Sequence, residues 1–168
     1  MRKKNLFLTM DLLLAVILLL SDRLTKYLAI QKLQGKESFV IIKGVFELTY
    51  LENYGTAFGL FQNKKIFILC MGVVFMAIIL WVAVRIPATG RFLPFHLCVT
   101  GVLAGGIGNM IDRFLYGYVV DFFSFVLIHY PIFNVADCYI VVSVFFLLIL
   151  FLFVYREEEL DFLSIRRK

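Results

Sequence analysis

Charge is what this 168-residue chain has least of. Lys, Arg, Asp and Glu make up 17% of it, hydrophobic residues make up 62%, and mean hydropathy is +0.92. Ordinary soluble domains carry about a quarter charged residues, so that class is excluded and lipid becomes the solvent for most of the chain. No stretch resembles a Pro/Gly/Ser linker, a low-complexity tract or an internal repeat, which points to a single domain over residues 1–168. The three cysteines, Cys70, Cys98 and Cys138, are odd in number and fall in or at the ends of apolar runs. They support neither a disulfide framework nor a zinc site and read as small apolar fillers. Histidine is scarcer still: His96 and His129 fall on opposite sides of the expected topology. No Cys/His or Ser/His pair can be assembled from them, and no His-Glu metal motif is present, so neither metal nor cofactor is expected.

The net charge of +5 does not imply nucleic-acid binding, because the basic residues flank apolar runs instead of forming a basic face. Four such runs, about 12–30, 66–84, 93–111 and 137–155, reach the roughly 17–25 residues that a membrane-spanning helix needs. Four crossings put both termini on one side. The first run follows Arg2-Lys3-Lys4 and so imitates a secretory signal peptide, but no small-x-small cleavage site or lipobox cysteine follows it. An uncleaved first helix is expected.

Arg2, Lys3, Lys4, Arg85, Arg91, Arg156, Arg166, Arg167 and Lys168 lie on one side of this map, which favours cytoplasmic termini. Lysines 32, 36, 43, 64 and 65 on the other side weaken that bias. The longer connections, 31–65 and 114–135, then face outward. Within the first, Ser38 to Tyr50 is rich in Val, Ile, Phe and Thr around a Lys43-Gly44 turn, which predicts two short strands of a small surface sheet. Within the second, Phe122 to Ile132 is too short to span and is expected to rest in the interface as a loop or short amphipathic helix. The expected fold class is an all-α polytopic membrane protein with four transmembrane helices and a small extracytoplasmic β-sheet.

Polar residues converge on one level of this map. Asp22 and Lys26 share a face near the outer end of the first span, and Asn109, Asp112 and Arg113 share one at the outer end of the third. Asn53 lies in the first outer connection, Asp121 in the second, and Asn134 and Asp137 at the start of the fourth span. Purely structural readings exist for several of them. Asp22 with Lys26 makes a self-neutralising ion pair, Asp112 with Arg113 ties the third helix to a neighbour, and Asp137 caps the fourth. The glycines between Gly101 and Gly108 suit close helix packing. Asp121 and Asp137 stand out, because a carboxylate beside hydrocarbon is costly and two that meet share a proton.

These residues carry a resemblance. Asp22-x-x-Thr25-Lys26, Asn53-x-Gly55-x-Ala57-Phe58, Gly105-Gly106-x-Gly108-Asn109-x-x-Asp112-Arg113, Val119-Val120-Asp121-Phe122 and Phe133-Asn134-x-Ala136-Asp137 occur in order and span nearly the whole chain. The set resembles that of the bacterial lipoprotein signal peptidases, or signal peptidase II. One departure is Cys138, where the family commonly has Ser. The resemblance implies an intramembrane aspartic endopeptidase of the bacterial cytoplasmic (inner) membrane, with Asp121 and Asp137 as the catalytic dyad. Asp22, Lys26, Asn53, Gly55, Asn109, Asp112, Arg113, Asn134 and Ala136 would bind substrate or support the site. It also implies a diacylglyceryl-modified prolipoprotein as substrate, inhibition by globomycin, contact with membrane lipids and a monomeric enzyme. Two other classes fit the composition: a small transporter or channel subunit, and a membrane assembly factor docking through its outer loops. A transport route would spread its ionisable groups across the bilayer, whereas here they gather at one side.

Overall fold

The computed structural model describes residues 2–55, 61 and 64–164. Ala57 and Phe58 of the second motif lie outside the described residues, as do Arg166, Arg167 and Lys168. Four long apolar helices and a three-stranded antiparallel sheet make up the fold: α1 (Arg2–Leu33), β1 (Phe39–Ile42), β2 (Phe46–Asn53), α2 (Lys65–Ala83), α3 (Leu93–Leu115), β3 (Val119–Phe125) and α4 (Val135–Ile149). A single π-helical turn, Leu150–Val154, extends α4. All four helices are long and apolar enough to cross a membrane. The first is longer than the expected 12–30, since its apolar run continues into helix-forming polar residues at both ends.

Burial is inverted relative to a soluble bundle. Leu12, Ile17, Leu20, Val73 and Phe145 are each more than half exposed, which is stable only in a hydrocarbon solvent. Among the described residues, the helix with the extensive buried surface is α3, which packs against α1, α2 and α4. Small residues bring the helices together, as predicted. A Cβ built on Gly105 would lie 2.5 Å from the Ala136 carbonyl oxygen and 2.8 Å from Ile140 Cγ1, and one on Gly108 would lie 2.7 Å from Asp22 Oδ2. These approaches hold α4 and α1 against α3 at the level of the polar residues.

Two local features bring the sheet back over that end of the bundle. Gly117, at φ +87°, ends α3 in the left-handed conformation that glycine adopts without strain, and its N–H donates to the Arg113 carbonyl at 3.1 Å. The chain then runs into β3, which pairs with β2. This corrects the expectation of an interfacial loop or short helix at Phe122 to Ile132: Phe122 to Phe125 belong to a strand. The β-branched and aromatic residues of 119–125 suit a pleated surface, and pairing with β2 satisfies backbone groups that a lipid-facing loop would leave open. The expected Lys43-Gly44 turn is present, with Gly44 at φ +72° between β1 and β2.

At the opposite end of the bundle, Phe92, Phe95, Tyr155 and Phe162 pack as an aromatic cluster. There Arg91 ties the C-terminal turn Glu157–Leu163 down through Glu159 at 3.0 Å. His96 on α3 faces Asp11 on α1 at 2.7 Å.

Gly105→Ala is expected to destabilise the folded protein by about 1–3 kcal/mol, because the added methyl meets backbone on α4. Gly90→Ala, with nothing within 4 Å of the new carbon, serves as the control. Thermal unfolding in detergent reads both; equal melting temperatures for the two variants would contradict the packing account.

Candidate active site

Asp121 is placed by the sheet. It pairs with Leu51 across the ladder, and Asn53, two residues along β2, sits on its diagonal. That diagonal brings Asn53 Nδ2 to Asp121 Oδ2 at 2.8 Å. The Asn53 side-chain oxygen accepts the Gly55 N–H at 3.0 Å, which holds the amide with its nitrogen toward the carboxylate.

Asp137 is placed by the start of α4, three residues after the observed cap. Asn134, not Asp137, is the N-cap: its side chain accepts the Asp137 N–H at 3.0 Å, while Asp137 Oδ2 accepts the Asn134 N–H at 3.1 Å. This reciprocal capping box begins the helix at Val135, and Asp137 lies in its first turn, where the helix dipole favours negative charge. The segment leading into it is fixed to β3 by a bridge between Phe123 and Phe133. Asn134 is thereby carried next to Asp121.

Asn134 joins the two carboxylates. Its Nδ2 donates to Asp121 Oδ1 at 2.6 Å and to Asn109 Oδ1 at 3.2 Å, while its backbone N–H serves Asp137. Asn109 completes the circuit, with Nδ2 donating to Asp137 Oδ1 at 2.7 Å. Both Asn134 and Asp121 are fully buried, whereas Asp137 is half-buried and is the more open of the two carboxylates. Burial pushes the Asp121 carboxyl up to about 7, and the negative charge of Asp137 adds to the rise. The amides of Asn53 and Asn134 and the Lys26 charge oppose it.

Beneath the pair lies a cluster of four charges. Lys26 Nζ reaches Asp22 at 3.1 Å and Asp112 at 2.8 Å and donates to Asn109 Oδ1 at 2.9 Å. Arg23 binds the same two carboxylates. The Asp22–Lys26 pair is therefore more than an intrahelical contact, since it links α1 to α3 and to the amide that serves Asp137. Asp112 pairs with α1, and Arg113 takes a different path: its Nη2 donates to the Gly55 carbonyl at 2.8 Å and ties the end of β2 to α3. Ala136, fully buried between Gly105 and Gly108, contributes small size.

The nine sequence-derived supporting positions thus gather around the two aspartates. Arg23 was not among them. The sequence offered no imbalance to signal it, since Lys26 and Arg113 match Asp22 and Asp112 in number; only the turn of Arg113 toward the Gly55 carbonyl leaves a place for Arg23. Among the described residues no group of three or more His, Cys, Asp or Glu side chains has a metal-holding arrangement.

Comparison with known proteins shows what the chain as a whole is similar to. A model of the signal peptidase (SPase) II family matches residues 14–153. A lipoprotein signal peptidase of Brevibacillus brevis is 39% identical over 138 residues, covering 82% of this chain and 91% of that protein. One of Clostridium novyi is 36% identical over 156 residues, covering 89% of this chain and 100% of the other. A bacterial membrane enzyme structure obtained by the in meso method at 2.3 Å resolution superposes with a TM-score of 0.76 at 28% identity, covering 86% of this chain and 88% of that one. With the family model spanning most of the chain and its bundle and sheet shared with a membrane enzyme, the protein belongs to the signal peptidase II family.

Proposed function

We propose that this protein is an aspartic endopeptidase that cleaves the signal peptide from diacylglyceryl-modified prolipoproteins, immediately before the lipidated cysteine. The observation that carries the reading is the Asp121–Asp137 pair, joined through Asn134 at the sheet end of a membrane-spanning bundle. Family membership supplies the peptidase activity, and the pair supplies the chemistry.

Asp121, fully buried and holding its proton up to about pH 7, is the acid. Asp137, in the first turn of α4 and accepting from Asn109 and the Asn134 backbone, is the base. Asp137 takes a proton from water as the water oxygen bonds to the scissile carbonyl carbon, and Asp121 gives its proton to the carbonyl oxygen. In the second step the C–N bond breaks, Asp137 passes its proton to the leaving nitrogen, and Asp121 recovers one from the diol. The pair begins and ends with one proton. It titrates as a unit, so activity should follow a bell whose limbs belong to both groups.

The bias of basic residues toward one end favours cytoplasmic termini, and with them a site near the outer leaflet of the bacterial cytoplasmic membrane. A substrate carrying two acyl chains enters sideways from the bilayer, with its signal helix against the apolar outer faces of the bundle. Membrane lipids surround it, globomycin-type inhibitors occupy the same site, and a single chain suffices. The ionisable groups of the site converge at one level, which favours a reaction site over a transport route.

Asp121→Asn and Asp137→Asn are each expected to lower kcat on lipidated prolipoprotein by about 10²–10⁴ or more at normal membrane levels. Near-normal cleavage by either variant would end the dyad mechanism. Asn134→Ala removes both the helix cap and the link between the carboxylates. It should lower the melting temperature, at about 0.5–2 kcal/mol for the cap, and reduce kcat beyond what the lost stability explains. Full activity in the fraction that remains folded would show that the link is dispensable.

A further inference from the structure

Position 23 is unspecified in the motif that contains Asp22, Thr25 and Lys26, and the family resemblance gives it no task. The fold does. Arg23 Nη1 donates to Asp112 Oδ1, while Nη2 donates to Asp22 Oδ2 at 2.8 Å and to the Gly108 carbonyl at 2.9 Å. The side chain is 30% exposed, but both of its carboxylate partners are only 1% exposed. Lys26 Nζ reaches the same two carboxylates, so the four side chains form a charge-neutral group between α1 and α3.

Removing the guanidinium would leave two buried carboxylates facing one ammonium. Two effects follow. The excess negative charge would draw Lys26 toward Asp22 and Asp112 and away from Asn109 Oδ1, which it now binds at 2.9 Å. Asn109 Oδ1 would then be left with the longer contact from Asn134 Nδ2 at 3.2 Å, and the hold that keeps its Nδ2 on Asp137, 2.7 Å away, would loosen. In addition, an uncompensated negative charge one side chain below the pair makes loss of the pair's proton harder. The charged and titratable groups facing this region are Asp22 and Lys26 from α1, Asp112 and Arg113 from α3, Asp121 from β3 and Asp137 from α4. Arg23, the second α1 cation beside Lys26, is the charge that balances Asp22 and Asp112 within the lower group.

We propose that Arg23 is a positioning residue for the peptidase: by neutralising Asp22 and Asp112 it keeps Lys26 on Asn109, and so keeps the Asn109 amide on Asp137. The inference rests on the aspartic peptidase reading above. It assigns a role in the reaction to a side chain that touches neither aspartate of the pair.

The test is the pH dependence of kcat and KM for the full chain in proteoliposomes, with diacylglyceryl-modified prolipoprotein as substrate. In Arg23→Gln both limbs of the bell should move to higher pH by about half a unit. On the acid limb kcat then falls about threefold relative to wild type, and on the alkaline limb it rises relative to wild type, with KM changed by less than about twofold. Arg23→Lys restores the charge and should return both limbs to their wild-type positions, even where its poorer fit lowers the melting temperature. A loss of kcat uniform in pH, or a profile in Arg23→Gln that coincides with wild type, overturns the proposal. Should Arg23→Gln fail to accumulate, Arg23→His takes its place. Its acid limb should match Arg23→Lys and its alkaline limb should move to higher pH, and a wild-type profile throughout overturns the proposal. Absence of cleavage by the wild-type chain would remove the peptidase reading itself, whereas cleavage with unmoved limbs removes only the role of Arg23.

Discussion

A fully buried amide, Asn134, holds the polar end of this bundle together. Its side chain caps α4 and binds Asp121, and its backbone N–H binds Asp137. A buried carboxylate that is not hydrogen-bonded is too costly to keep, so the amides that face the two aspartates are what make the pair tenable. The strand pairing, the glycine turn after α3 and the Phe123–Phe133 bridge all serve to bring Asn134 and Asp121 together. Start α4 one residue later and the cap, the link and the carboxylate geometry are lost at once.

Around that amide the protein sorts charge from hydrocarbon in two layers. Asn53, Asn109 and Asn134 form a neutral layer that touches the aspartates. Below it Asp22, Arg23, Lys26 and Asp112 form a layer that sums to zero charge. Opposite charges that cancel within a few ångströms limit the desolvation cost of holding ions near lipid, and Lys26 is the member that couples the lower layer to the upper. The outer faces of α1, α2 and α4 carry the apolar side chains that a bilayer accepts, so the membrane itself supplies the solvent that the exterior requires.

Much of this was legible in the sequence, for reasons that differ by residue. Span count followed from apolar length alone, and the convergence of Asp22, Lys26, Asn53, Asn109, Asp112, Asp121 and Asp137 on one level followed from topology. The Gly105 and Gly108 contacts followed from the need for small residues where helices meet. Three things were not legible. The strand at 119–125 is apolar on nearly every position, so its composition does not distinguish an interfacial segment from a strand, and only its partner β2 decides. The cap moved from Asp137 to Asn134 because either side chain can cap a helix, and the capping box depends on where Phe133 is anchored. Arg23 escaped notice because it sits beside Asp22 on the rim of the helix face, and its partner Asp112 is 89 positions along the chain.

The central claim is that one proton is held at the Asp121–Asp137 pair near neutral pH, with Asp121 as its carrier. Infrared titration of the purified protein in lipid nanodiscs tests this directly, through the protonated-carboxyl stretching band in the difference between wild type and Asp121→Asn. The account predicts a band that persists up to about pH 7 and then disappears. A difference spectrum with no protonated carboxyl above about pH 5, the upper end of the ordinary carboxylate range, would contradict it.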